Sequence, residues 1–204
     1  MDEGTALLIV DVQNDFCGGG ALAVPDGDAV VPVINRVASL FAHAGRPVFA
    51  SRDWHPDDAR HFVERGGLWP RHCVQHTRGA EFHPGLTLPA DTQVVSKGRE
   101  PDEDGYDAFE GSLDTGERLA DALRARGVAH VVVTGLATDY CVKNSALGAR
   151  QAGFEVTVLE DAIRAVDVQP GDGERAITEM RAAGVRMATS GEVLQPASAA
   201  RTRR

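Results

Sequence analysis

Cysteine is scarce in this chain: three residues in 204, Cys17, Cys73 and Cys141, with no C-x-x-C pair among them. An odd, sparse set gives no disulfide framework and points to free thiols in a reducing compartment, so the cytoplasm is the expected location. Positive charge is also in short supply. Twenty-one Lys and Arg stand against thirty Asp and Glu, a formal net charge of -9, which argues against nucleic acid or an anionic membrane as the main partner. No apolar run approaches the roughly 20 residues that span a bilayer. Met1-Asp2-Glu3-Gly4 has no signal-peptide character, and no internal repeat is present. What remains is an ordinary soluble composition, 43% hydrophobic and 25% charged, of a length that suits one domain with a substantial core. The expected domain spans 1–194. Residues 195–204, rich in Ala, Ser and Arg, read as a flexible tail.

Apolar runs and helical periodicities alternate along the chain. Ala6-Leu7-Leu8-Ile9-Val10 is the kind of unbroken run that marks a strand buried on both faces. Further strands are expected at 47–50, 93–96, 130–133, 154–159 and 185–188. Helices are expected at 29–44, 116–126 (capped by Asp114 or Thr115), 142–152 and 173–183. This predicts an α/β fold: a single-domain, Rossmann-like parallel sheet of about six strands with helices on both faces. The stretch 55–91 breaks the rhythm. It holds five of the seven histidines together with Trp69, and long loops in compact domains are usually functional or disordered.

Ligands of such sheets bind outside the carboxyl ends of the strands. Asp11, Asp53, Lys97 and Cys141 each follow the end of a different one of the first four strands. Singly, Asp11 reads as a turn residue, Lys97 as a solvated lysine and Cys141 as a small buried hydrophobe. Together they bring a carboxylate, a cation and a thiol to one rim, the makings of nucleophilic catalysis. Cys141 falls where a strand turns into a helix. Unpaired N–H groups and the helix dipole there favour an anion, so a lowered thiol pKa is expected. Asp53-x-His55 puts two ligands on one side of an extended segment, and His61 and His72 could return to it from the loop. Imidazole and carboxylate suit zinc, iron or manganese, although loop histidines also cap turns, the role expected of His43, His76, His83 and His130. Phe16, Trp69 and Tyr106 are loop aromatics at the same rim, placed either to stack on a flat substrate or simply to pack the loops. Cys17 and Cys73 read as structural.

The motifs Asp11-Val12-Gln13-Asn14-Asp15-Phe16-Cys17, Asp53-Trp54-His55 with His61, Trp69-Pro70-x-His72-Cys73-Val74, Lys97-Gly98, Phe109-Glu110-Gly111 and Gly135-Leu136-Ala137-Thr138-Asp139-Tyr140-Cys141-Val142 resemble the isochorismatase-like cysteine hydrolases. Within them they are most similar to the nicotinamidase/pyrazinamidase branch. The resemblance runs in order from about Ala6 to Ser190. It implies Asp11, Lys97 and Cys141 as a catalytic triad, and the N–H groups of Ala137 and Cys141 as an oxyanion hole. It implies a cis peptide at Leu136-Ala137, and Phe16, Trp69, Tyr106, Leu136, Ala137 and Tyr140 around the substrate. It also implies one divalent metal ion on Asp53, His55, His61 and His72, zinc before iron or manganese. The implied reaction is amide hydrolysis of nicotinamide or pyrazinamide in NAD salvage, through a thioester. Two departures bear on substrate preference: Tyr140 stands where relatives often carry histidine, and the acid-rich loop 98–108 is long. Another amide or carbamoyl hydrolase of the superfamily is the alternative, and a non-catalytic binding protein on the same fold a further one. The expected partner is a small molecule, with assembly into a homo-oligomer left open.

Overall fold

The computed structural model describes residues 2–194, so the expected tail at 195–204 lies outside the described residues. Seven strands form one sheet: β1 (Thr5–Val10), β2 (Val48–Asp53), β3 (Gln93–Lys97), β4 (Ser112–Leu113), β5 (His130–Leu136), β6 (Glu155–Arg164) and β7 (Arg186–Ala188). Their order is β4-β3-β2-β1-β5-β6-β7, and only the β3–β4 pair is antiparallel. Every residue of β1 is buried, as its unbroken apolar run requires of a central strand covered on both faces.

Helices α1 (Val31–His43) and α5 (Ser190–Leu194) lie on one face. There Ile34, Val37 and Phe41 of α1, spaced at helical period, bury against Leu7, Ile9 and Val132. Helices α2 (Leu119–Ala125), α3 (Lys143–Gln151) and α4 (Asp172–Ala182) cover the other, over Leu8, Val10 and Val133. Each fully buried aliphatic or aromatic side chain contributes about 1.5–3 kcal/mol. Among the described residues no helix is long and apolar enough to cross a membrane.

The expected alternation stands, with two corrections. The sheet has seven strands because Ser112–Leu113 folds back on β3. That turn also takes the residues expected to open the second helix: Leu113 N–H bonds Glu117 O at 2.9 Å, and α2 starts only at Leu119, after Arg118, with no side-chain cap. Asp114 and Thr115 therefore do not cap it. The helix after β5 is preceded by one wide turn, Thr138–Val142, with α3 proper beginning at Lys143.

Strand order reverses at β1. The chain runs outward through β2 and β3, then returns to place β5 on the opposite flank of β1. A reversal of this kind opens a crevice at the carboxyl ends of the two flanking strands. Gly135, at φ 115°, lets β5 lie close there, since a Cβ at that position would collide with the Val10 backbone.

Candidate active site

Asp11 ends β1 in the left-handed region, φ 48°, a conformation uncommon for a side-chain-bearing residue and frequent at functional sites. Its carboxylate is fully buried. Lys97, the last residue of β3, reaches across the end of β2 to place Nζ 2.7 Å from Asp11 Oδ2 and 3.5 Å from Cys141 Sγ. The same ammonium contacts Asp53 Oδ1 and the Gly105 carbonyl. Lys97 is only 2% exposed. A buried lysine stays charged when carboxylates surround it, and Asp11 and Asp53 outweigh the burial that would discharge it, holding its pKa well above the ordinary value. The two acids respond differently. Burial pushes Asp11 up against the pull of Lys97. For Asp53, Lys97 and His55 overcome the upward push of burial and hold it below the usual carboxylate range.

The structure therefore brings Asp11, Lys97 and Cys141 together as expected, but it reverses the expectation of a lowered thiol pKa. Cys141 is buried, and that burial, with Asp11 and Asp53 nearby, pushes the thiol well above its ordinary value despite Lys97. Local position at a helix start is overridden by burial, together with two carboxylates from distant parts of the chain. The resting group is a thiol beside a carboxylate, so the site needs its proton acceptor.

Beside this trio, His55, His61 and His72 converge, with ring centroids 4.2, 5.1 and 5.5 Å apart. Their donors point inward. His55 Nδ1 faces the Gly98 carbonyl at 3.0 Å and His72 Nδ1 the Pro70 carbonyl at 2.8 Å. Bonds of this kind fix the tautomer with the proton on Nδ1 and the lone pair on Nε2. His55 Nε2 and both nitrogens of His61 are buried without a partner, orphans that a folded protein tolerates where something else binds them. Asp53 Oδ2 is 3.4 Å from His55 Nε2. Burial, with the neighbouring imidazoles, lowers His61 to about 4, which keeps it a neutral donor at pH 7. The three imidazoles lie close enough together to hold one divalent metal ion, with Asp53 beside them at His55 and its other oxygen on Lys97. Gly98 is needed here because a Cβ would strike the His55 ring.

The remaining expected residues line a mostly apolar cavity over Cys141. Phe16 packs on His72, with centroids 5.6 Å apart. Trp69 Nε1 donates to Tyr106 Oη at 2.7 Å, and Tyr140 meets both rings, at 5.0 and 5.8 Å. Ala137 borders the cavity, and the Leu136–Ala137 peptide is cis. Leu136 goes elsewhere: it is fully buried in the core on the α1 face and does not reach the cavity. Leu22, Val166 and Asp104 of the 98–108 loop complete the wall, and neither Leu22 nor Val166 belongs to a motif legible in the sequence. Val166 is held by Asp139, whose buried carboxylate accepts the N–H groups of Val166 and Asp167 at 2.9 and 2.8 Å. Gln13, also buried, brackets Asp53 by accepting from its N–H and donating to its carbonyl, both at 2.8 Å. Of the other histidines, His83 accepts from Gly85 N–H in a turn and pairs with Asp28, whereas His43 ends α1 and bonds the Ser39 carbonyl, and His130 opens β5 and bonds the Thr157 hydroxyl, so neither caps a loop turn. His76, with φ 63°, packs edge-on against Trp54.

Comparison with known proteins agrees with this geometry. The isochorismatase domain family matches residues 5–192. The nicotinamidase of Escherichia coli is 44% identical over 203 residues, covering 90% of this chain and 94% of the relative. The nicotinamidase/pyrazinamidase of Mycobacterium tuberculosis is 40% identical over 188 residues, covering 91% and 98%. Among solved structures, the pyrazinamidase of Pyrococcus horikoshii in complex with zinc superposes with a TM-score of 0.84 at 46% identity, covering 91% of this chain and 99% of that one.

Proposed function

The chain belongs to the isochorismatase domain family, and from that premise we propose that it is a nicotinamidase, an amidohydrolase converting nicotinamide to nicotinate and ammonia and acting also on pyrazinamide. The observation that carries this reading is the single ammonium of Lys97, in contact with Asp11 and 3.5 Å from Cys141 Sγ, beside an aromatic-lined cavity that Cys141 shares with His61 and His72 of the three-imidazole cluster.

Asp11 accepts the thiol proton as Cys141 Sγ attacks the amide carbon. The carbonyl oxygen gathers charge against the N–H groups of Ala137 and Cys141, donors fixed before the reaction begins. Lys97 stays charged throughout and balances whichever of Asp11 or the sulfur carries the negative charge. Asp11 then returns its proton to the departing nitrogen, and ammonia leaves a thioester. A water molecule, deprotonated by the same carboxylate, releases the acid and restores the thiol. Phe16, Trp69, Tyr106 and Tyr140 grip the flat ring and exclude bulk water.

Asp53, His55, His61 and His72 would hold a divalent metal ion, zinc by preference of the donor set and iron or manganese as alternatives. When bound, the ion supplies a Lewis-acid site for the ring nitrogen and so orients the amide over the thiol. The experiment is ammonia release from nicotinamide by the wild-type protein and by Cys141→Ala. The wild type should turn over, and the folded variant should lose at least about two orders of magnitude in rate. Comparable turnover by Cys141→Ala would sink the thioester route.

A further inference from the structure

The two oxygens of Asp11 have different neighbours. Oδ1 accepts a hydrogen bond from the Ser51 hydroxyl at 2.7 Å, with both residues fully buried. Oδ2 faces Lys97 Nζ at 2.7 Å, off the direction of a hydrogen bond, and accepts no hydrogen bond among the described residues. The backbone ties the same pair together, since Asp11 N–H reaches the Ser51 carbonyl at 3.2 Å. Ser51 lies inside β2, forty residues from Asp11 in sequence, and nothing in the sequence singles it out.

We propose that Ser51 is a positioning residue that assigns the travelling proton of the reaction to Oδ2 of Asp11. The proposal rests on the thiol acyl-transfer reading above. An ionised carboxylate has no proton to give, so the Ser51 hydroxyl must donate, and its hydrogen fills the lone pair of Oδ1 that faces it. A proton placed on Oδ1 would displace that bond and strand a buried hydroxyl. The chemistry then runs through one oxygen. The proton leaves Sγ for Oδ2 as the S–C bond forms and the carbonyl π pair moves to oxygen. On collapse the C–N bond breaks, nitrogen takes the proton from Oδ2, and ammonia departs. In the second half, water gives a proton to Oδ2 as its oxygen adds to the thioester. The C–S bond then breaks and sulfur takes the proton back. Without Ser51 nothing reserves Oδ1, and the proton can settle on either oxygen.

The step most sensitive to this is protonation of the leaving amine, and a substrate that needs no such proton separates the role from a structural one. The assay compares kcat/KM for nicotinamide with that for 4-nitrophenyl nicotinate, whose phenolate leaves unaided. In Ser51→Ala, nicotinamide should lose about 30–100-fold, in the range of misdirected general-acid catalysis, whereas the ester should lose less than about fivefold. Ser51→Thr, which restores the hydroxyl, should recover most of the nicotinamide loss and bring the ratio of the two substrates back towards wild type. Thermal melting identifies a misfolded Ser51→Ala. In that event Ser51→Cys, of similar size but a weaker donor, carries the test and should show the same substrate split in smaller degree. Equal losses on amide and ester, or an unchanged nicotinamide rate, would overturn the proposal. Cys141→Ala is the separate control: it must abolish turnover of both substrates, and its survival would refute the acyl-transfer reading itself whatever Ser51 does.

Discussion

Replacing Lys97 by methionine removes one charge and little volume, and the structure says what should follow. Nζ lies 2.7 Å from Asp11 Oδ2 and also contacts Asp53, with all three groups buried. At an effective dielectric of 20, the Asp11 contact alone has a gross attraction of about 6 kcal/mol. Desolvation offsets much of that in the wild type. In the variant the desolvation of two carboxylates remains and the attraction does not. Breaking a buried pair from one side costs about 3–5 kcal/mol, which for a chain of this size is a fall in melting temperature of about 6–20 °C. The effect on activity follows from the same charges. Burial already pushes Asp11 up, and loss of the cation that opposes this favours its protonated form, which cannot accept a proton from Cys141. The rate on nicotinamide should fall by about 10²–10⁴. Lys97 lowers the Cys141 thiol and Asp11 raises it. The pH profile of Cys141 alkylation should therefore move up in Lys97→Met and down in Asp11→Asn. Combining the two substitutions should destabilise less than the sum of the single changes, because Asn at position 11 leaves one fewer carboxylate uncompensated. Urea unfolding of the four proteins measures this coupling. Additive losses within about 0.5 kcal/mol, or a stable and active Lys97→Met, would mean that the cation does not organise the site.

Other expectations follow from the metal cluster and from a neighbouring acid. Chelation, or His55→Ala, should lower the melting temperature, because an ion held by folded imidazoles favours the folded state. It should also reduce nicotinamide turnover far more than benzamide turnover, the two being separated by about 2–4 kcal/mol in the intact enzyme. Equal proportional losses would remove the ring-nitrogen role. Asp107, at the foot of the 98–108 loop, is pushed up to about 6 by burial, with Glu110 adding to the effect. A carboxyl raised above its ordinary 3.8 contributes stability that is complete below pH 3.8 and is lost as pH rises through 6. Asp107→Asn keeps an acceptor for the Phe109 N–H. It should therefore match the wild type near pH 4 and exceed it by about 1–3 kcal/mol at pH 8. Urea midpoints at the two pH values check this, and a variant no more stable at pH 8 would contradict it.

Residue order alone determined the architecture of this protein and most of the chemistry at its rim. The run from Ala6 to Val10 can satisfy its side chains only as a central strand, and the apolar face of α1 can be buried only against such a sheet. Both are local periodicities, so they are visible without knowing what lies across from them. Asp11, Asp53, Lys97 and Cys141 were visible for the same reason, as polar residues closing apolar runs, and the histidine spacing pointed to the imidazole cluster. Tertiary structure decided the rest. The Cys141 thiol is raised instead of lowered because the fold buries it and brings Asp11 and Asp53 beside it from 130 and 88 positions away in the chain. Leu136 is fully buried in the core while Ala137 borders the cavity as well, a difference that only the packing around the end of β5 sets. Ser51 reads as one more strand residue until the register of β1 on β2 sets its hydroxyl against Asp11. Asp139 likewise finds its partners only when the segment after β6 comes to rest beside the Cys141 turn. Periodicity is a property of neighbours along the chain. The electrostatics of a buried group is set by neighbours in space, and these exist only once the strands have taken their order.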